Sequence, residues 1–363
     1  MSFSDERRKN QLSFICSESE LEVGSLEGFP LSAKELQQID ETSDYVVKVF
    51  NSGLTAQVYK LKINHKFYNL KKKRDKILVQ NIDGQTSFLN EVQRRQDFHH
   101  LKLKNSEGFS GIVDTLYASF KKGIILSPWI EGKHIVEWNY KKYESLFSTL
   151  LNMEFNGIFE WDLCSGNLLY IGNHIMLFDF GYAYPFDVLT QFNSDGLENP
   201  LFHMVERFES RFFMQYLMEL ESETNKETMI NAYKEEKEVA LTIYKKKLEY
   251  IKKNNGSQNV IEWLLKIILS WEEGVSSISK LEELYKREAF RSYVLDIGDD
   301  VGGQSCTKST IKKVNRVLKL IEEDYQFLKN SGGLFFGDEK LDKFQLTEKY
   351  KVIYELVIKY QLS

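Results

Sequence analysis

Short apolar stretches separated by turn residues fill the chain from 45 to 130, and longer stretches with helical spacing fill most of the chain beyond 130. "YVVKVF", "AQVYKLKI" and "KFYNLKKK" are rich in Val, Tyr, Phe and Ile and are broken by "NSG" and "NH", so three successive strands are expected, the last two joined by a tight turn at Asn64-His65. "TSFLNEVQRRQDFHHLK" (86–102) carries apolar residues at 88, 89, 92 and 98, which is a helical pattern. "GIVDTLYASF" and "GIILSPWI" (111–130) suit two more strands, paired around Lys121-Lys122-Gly123. A helix is expected over 137–157, ending at Asn156-Gly157. "NLLY" and "IMLFDF" come next as short strands around Gly172-Asn173, and then helices over 200–222, 226–253, 258–272, 278–294, 307–330 and 339–361. Before all of this, residues 1–43 are polar and acidic, with Ser32 and Glu35 forming a capping box for a short helix, "SAKELQQID". No repeat of fixed period is visible. The order is a mixed β/α part, a hinge at 127–132, then a helical part, which gives an α+β class.

Composition narrows the picture. The length of 363 residues allows two lobes, and a 42% hydrophobic content supports a sizeable core. The net charge of −5 argues against a dedicated nucleic-acid binder. Cys16, Cys164 and Cys306 are far apart and form no CxxC pair, so neither a disulfide framework nor a zinc site is expected and a reducing compartment is the natural home. The start of the chain has no signal-peptide shape, and no stretch reaches the roughly 18 to 20 apolar residues of a membrane span. A cytoplasmic protein is the expectation, with delivery into a host cell by another route left open.

The stretch "WDLCSGNLLYIGNHIMLFDFG" (161–181) raises the question of chemistry. Phosphoryl transfer asks a protein to hold phosphates, to place metal ions against them, and to supply a carboxylate for the acceptor's proton. Five parts stand in workable order along this chain. Gly53 lies in a hairpin turn suited to covering phosphates, with Val58 placed to cover an adenine; an ordinary hairpin glycine is the alternative. On "YNLKKKR", alternation puts Lys71 and Lys73 on one face and Lys72 on the other, and Lys71 is the choice for phosphate; a basic surface strand is the alternative. Glu91, flanked by Phe88, Leu89 and Val92, suits an inward ion pair with Lys71, against an exposed pairing with Arg94 or Arg95. Asp162 would accept the proton, Asn167 would hold metal, and Asp179 would bridge metal and phosphates, with Gly181 letting the backbone turn away.

This set resembles the protein-kinase-like superfamily over residues 53 to 181, "DLCSGNLL" and "LFDFG" being similar to its Asp-x-x-x-x-Asn and Asp-Phe-Gly motifs. Gly166-Asn167 and the hinge "ILSPWIEGKHI" are similar to the atypical branch: aminoglycoside and choline phosphotransferases, lipopolysaccharide kinases and RIO-type kinases. The resemblance implies a bilobal fold: a polar extension at 1–43, a small antiparallel β-sheet lobe with one key helix at 44–130, and a larger, mostly helical lobe at 131–363 with its catalytic loop at 160–181. It implies ATP and Mg2+ as cofactors, with adenine contacts from the backbone between Ser127 and Trp129. The chain departs from conventional protein kinases in several places. Glu160-Trp161 stand in place of His-Arg before the aspartate. Cys164 stands in place of the lysine that steadies the γ-phosphate, so that role is empty or supplied elsewhere. No Ala-Pro-Glu occurs after 181, and "YAYPFDVLTQFNSDGLENPLFH" (182–203) is aromatic and fixed in character, unlike a phosphorylation switch.

An ATP- and Mg-dependent phosphotransferase acting on a hydroxyl acceptor is therefore expected, leaning toward a small molecule or lipid-linked sugar over a protein. The alternatives are an atypical Ser/Thr protein kinase, a pseudokinase, or a nucleotidyl transferase. Other features receive plainer readings. "GGQSCTKST" (302–310) lacks the second P-loop glycine and suits a loop capping the next helix. His99-His100 suit a helix end, Cys164 a small structural residue, 234–254 a solvated charged helix face, and Trp263 with Trp271 a core.

Overall fold

A computed structural model describes residues 2–172 and 174–362. Six antiparallel strands form one sheet in the order β1-β5-β6-β4-β3-β2. Their bounds are β1 Glu22–Gly24, β2 Val46–Phe50, β3 Ala56–Ile63, β4 Lys66–Lys73, β5 Tyr117–Ser119 and β6 Ile124–Pro128. The expected turn joins β3 to β4, and both of its residues take positive φ (Asn64 47°, His65 64°), the mirror-type geometry that matches the twist of a hairpin. Gly123, at φ 65°, turns β5 into β6. The N-terminal stretch is more than an extension with one short helix. It also holds α1 (Phe3–Ile15) and contributes β1 to the sheet edge. The helix expected there is α2 (Ala33–Gln38), opened by the reciprocal Ser32/Glu35 capping box.

Alternation along the strands assigns two apolar faces. Tyr59, Leu61, Ile63, Leu70, Tyr117, Ile124 and Leu126 pack with Leu31, Leu36 and Ile39 around α2. Ala56, Ala118 and Ile125 point the other way, onto Phe88, Leu89 and Val92 of α3 (Ile82–Lys104) and onto Phe14 and Ile15 of α1. One sheet thus has both faces covered, by α2 on one side and α3 with α1 on the other. Lys71 sits directly opposite Val58 and Ile125 in register, so it shares the α3 face. Lys72 emerges on the α2 face, where its ammonium donates to the Ile39 carbonyl.

The rest is mostly helical: α4 Tyr140–Phe155, α5 Met204–Phe208, a π-helical turn Glu209–Phe213, α6 Met214–Glu223, α7 Lys226–Lys253, α8 Gln258–Val275, α9 Ile278–Gly303, α10 Lys308–Asn330 and α11 Lys343–Lys359. Two small antiparallel pairs lie within it. β7 (Ile158–Glu160) pairs with β10 (Ala183–Pro185), and β8 (Leu168–Ile171) pairs with β9 (His174–Leu177). In the β8–β9 connection Gly172 takes φ 59°, while Asn173 lies outside the described residues. β9 stops at Leu177, short of the expected Phe180, because Asp179 takes φ 73° and leaves extended backbone. The P-loop-like stretch is divided as expected of a cap: Gly303 ends α9, and Thr307 with Thr310 caps α10. Trp263 and Trp271 are buried in the helical core. Among the described residues no helix is long and apolar enough to cross a membrane.

The charged stretch 234–254 corrects its expectation. Lys237 and Glu236 are fully buried and Lys247 nearly so, so α7 is no simple solvated face. The Lys237 ammonium lies 2.6 Å from Glu209 and 2.6 Å from Glu288. Arg291 adds a second contact to Glu209 at 3.1 Å, and Tyr233 and Trp271 donate to Glu288 at 2.7 and 2.9 Å. Periodicity could not reveal this, because the partners come from α7, α8, α9 and the π turn, far apart in sequence. Removing the cation leaves carboxylates buried without their partner, which is the costly way to break such a cluster. Lys237→Met is expected to lower unfolding stability by about 3–5 kcal/mol, measured by urea denaturation.

Candidate active site

β4 carries Lys71 to the α3 face, where its side chain is almost fully buried. A lone buried ammonium would be costly, and two carboxylates answer that cost. Glu91 Oε2 lies at 2.5 Å and Asp179 Oδ2 at 2.8 Å. Burial works to lower the Lys71 pKa, but the charges of Asp179 and Glu91 outweigh it and hold the ammonium above its ordinary value. For Asp179, burial pushes the carboxyl up. Lys71 overcomes that by charge and hydrogen bond, helped by Arg95 and the Gly181 N–H, and the carboxyl ends below its usual range. Glu91 is not an exposed acid. It is 1% exposed and its second oxygen accepts from Arg95 at 3.0 Å. The alternative pairing with Arg95 is therefore present together with the pairing to Lys71. Arg95 in turn lies over the Phe180 ring, 5.2 Å from its centre.

The second half of the site is built on β7, β8 and β9. After β7 the chain passes through Asp162 and a single 3-10 turn (Ser165–Asn167) into β8. The Asn167 side chain reaches back and donates to the Asp162 carbonyl at 2.9 Å and to its carboxylate at 3.2 Å. The Asn167 carbonyl accepts from the Phe178 N–H at 3.3 Å, so the hairpin sets Asn167 beside the turn that carries Asp179. The positive φ falls at Asp179, not at Gly181. At 181 the packing is close: a Cβ there would lie 3.2 Å from Ser87 Cβ on α3. Cys164 is partly buried, and burial pushes its thiol well above the ordinary value, in line with a structural residue.

Glu160 and Trp161 make contacts of their own. The Asp162 N–H donates to Glu160 Oε1 at 2.8 Å, and the Trp161 indole donates to Ser194 at 2.8 Å. Glu160 is 5% exposed and its other oxygen has no partner among the described residues. Burial pushes its carboxyl well above 4.5, more than the Asp162 N–H pulls it down.

The remaining expected residues line the sheet side. Val58 shares the Lys71 face. Gly53 lies between β2 and β3, in a turn so tight that a Cβ there would sit 2.4 Å from the Ala56 carbonyl oxygen. Arg74 donates to the Gly53 carbonyl at 2.8 Å. Ser127 and Trp129 fit their expected part less simply. Ser127 pairs with Asn69 in the sheet, and its hydroxyl accepts from Arg95 at 3.3 Å. The Trp129 N–H donates to the Phe67 carbonyl at 3.1 Å, so it is already engaged, and the Trp129 ring stacks on Phe50. His99 and His100 lie near the end of α3. Among the described residues no group of three or more His, Cys, Asp or Glu is arranged to hold a metal.

Contributors from three places in the chain escaped the sequence: helix α3, helix α1 and the π turn. Asn90, beside Glu91, is 1% exposed, and its amide donates to the carbonyls of Phe180 (3.1 Å), Gly181 (3.0 Å) and Ala183 (2.7 Å). Gln11 of α1 donates to Asn90 Oδ1 at 3.1 Å and so fixes which way that amide faces. Arg7 and Arg8 of α1 hold Asp83 at the start of α3, and Arg7 also lies 3.4 Å from the centre of the Tyr184 ring. The third is Arg211, whose Nε donates to Asp162 at 3.1 Å from the π turn. A polar residue inside the apolar stretch 88–92 was a signal for Asn90; nothing local marked Gln11 or Arg211.

A cavity of about 1110 Å3 opens beside this half of the site, with Ser165, Arg211, Trp138, Phe212, Tyr216 and Lys313 among its walls. No known family model matches the chain, and no curated protein matches it.

Asn90→Ala would remove one donor from each of three carbonyls; that of Phe180 keeps the Ala183 N–H and that of Ala183 keeps Arg94, while that of Gly181 loses its donor among the described residues. It is expected to cost about 2 kcal/mol and to speed amide hydrogen exchange over 178–184, measured by mass spectrometry. Glu160→Gln tests the raised carboxyl. A pKa raised by folding stabilises the wild type below 4.5, and that contribution fades as pH rises through the folded value. The melting temperature of Glu160→Gln relative to wild type is therefore expected to climb steadily as pH rises from 4.5, read by thermal denaturation at several pH values.

Proposed function

We propose that the chain is an ATP- and magnesium-dependent phosphotransferase with a bilobal, protein-kinase-like arrangement, moving the γ-phosphate to a hydroxyl acceptor. The observation that carries this is Lys71 held between Glu91 and Asp179, with Asp162 and Asn167 tied together in the loop that leads into the adjoining hairpin. Lys71 is the phosphate-holding cation and Glu91 its positioner. Asp162 receives the acceptor's proton as the acceptor oxygen bonds to the γ-phosphorus and ADP leaves.

The residues present fit a magnesium ion. Asn167 uses its Nδ2 on Asp162, which turns its Oδ1 away from that carboxylate, and the Asp179 side chain is 37% exposed despite its partner. One carboxylate and one amide oxygen form a usual protein share for magnesium, whose other ligands are phosphates and water. When bound, the ion would neutralise phosphate charge. Val58 and the Lys71 face of the sheet would receive the adenine, with Gly53 in the turn over the phosphates. The Trp129 N–H is engaged, so the base would be held mainly by packing and by other groups near the hinge.

Two features favour a small acceptor. The segment after Asp179 is anchored: Tyr184, Phe186, Val188 and Phe192 are buried, and Asn193 donates to the carbonyls of Asn199 and Phe202 at 2.9 and 3.0 Å. A cavity of about 1110 Å3 adjoins Asp162 through Ser165 and Arg211.

Asp162→Asn is expected to keep MgATP affinity within about threefold while lowering phosphate transfer by about 10²-fold or more, whereas Asp179→Asn weakens MgATP binding itself. Calorimetry with MgATP, followed by transfer from γ-labelled ATP into separated protein and small-molecule fractions of a lysate, measures both. MgATP binding with no turnover in the wild type would make it a pseudokinase, and label retained from α-labelled ATP would make it a nucleotidyl transferase.

A further inference from the structure

We propose that Arg211 is a catalytic residue that holds the phosphoryl group in transit, filling from the helical part of the chain the place that Cys164 leaves without a cation. The inference rests on the phosphotransfer reading. Its geometry begins at Asp162, where Arg211 Nε lies 3.1 Å from Oδ1. An acceptor hydroxyl giving its proton to Asp162 must lie about 2.6–3.2 Å from that carboxylate. The phosphorus it attacks must lie about 3–3.5 Å further on. A cation bound to Asp162 on the side of the acceptor therefore lies near the path of the moving group, and among the described residues Arg211 is the one cation paired with Asp162.

The transferring group carries negative charge and approaches a carboxylate, so opposing charge is needed on the acceptor side as well as on the Lys71 side. Cys164 supplies none. Arg211 is placed to supply it. One guanidinium nitrogen is anchored on buried Asp296, which also holds Lys313, and Asp300 lies 3.6 Å from the same nitrogen. Nε faces Asp162, and Nη2 makes no hydrogen bond among the described residues. The side chain keeps 21% exposure and forms part of the cavity wall next to Ser165. Its delivery is specific too. It sits in a π-helical turn, Glu209–Phe213, whose first residue is pinned by Lys237 and Arg291. Such turns recur at functional sites because they re-aim one side chain within a helix.

The test uses the full chain, with ATP and magnesium, and water as the acceptor in place of the unidentified one. Water's oxygen then bonds to the γ-phosphorus, its proton goes to Asp162, and ADP departs. Arg211→Met is expected to lower the rate of phosphate release by about 10²- to 10³-fold while MgATP affinity stays within about threefold. Arg211→Lys, which keeps a cation for Asp296, loses less, about tenfold. Adding methylguanidinium to Arg211→Ala is expected to restore at least tenfold of the lost rate, an effect a merely structural role would not give. The inference is overturned if the folded Met variant turns over within threefold of wild type, or if the loss tracks MgATP affinity and methylguanidinium restores nothing. A wild-type protein that neither binds MgATP nor releases phosphate would remove the phosphotransfer reading, and this inference with it. Normal wild-type turnover alongside unaffected variants removes the inference alone.

Discussion

The Lys71 ammonium is the joint on which the candidate site depends. It touches the sheet, helix α3 and the turn at 178–181 together, through its own strand, Glu91 and Asp179. Its burial makes that joint selective. A buried cation that loses either carboxylate is left poorly compensated, so the three elements hold one another in a single arrangement. Arg95 completes the balance by meeting Glu91 and lying over Phe180, so two cations and two carboxylates share one small volume.

Around that joint the chain adds supports that are polar and buried. Asn90 ties α3 to the backbone beyond Asp179, and Gln11 orients Asn90. The N-terminal helix is thereby part of the site's scaffold rather than an appendage. Arg7, Arg8 and Asp83 repeat the same connection at the start of α3. On the far side, the buried cluster around Lys237 steadies the π turn, and the π turn aims Arg211 at Asp162. Charges that looked like surface decoration along 234–254 in fact pair with the first residue of the turn that carries Arg211.

Local rules carried a large share of the fold. Period-2 patterning placed β2, β3 and β4 nearly to the residue, because each strand has one face on α2 and the other toward α3 or solvent. Helices with a continuous apolar stripe, such as α8, were equally plain. Short elements were not: β1 has three residues and α1 has little apolar periodicity, so their existence depends on what they dock against. For the same reason β9 ran too long in expectation, since extended backbone and the positive φ of Asp179 look alike in sequence.

By itself the sequence determined the α+β order, the strand faces, and the presence of Lys71, Glu91, Asp162, Asn167 and Asp179 at workable spacing, because side-chain periodicity and short-range turn chemistry dictate them. Only the tertiary structure decided that Lys71 meets both Glu91 and Asp179, that Glu160 caps the Asp162 N–H from a buried position, and that Asn90, Gln11 and Arg211 belong to the same site. The reason is physical. Burial and ion pairing are set by distance in space, and Arg211 stands 49 residues from Asp162, and Gln11 79 from Asn90, along a chain that carries no local mark of either contact.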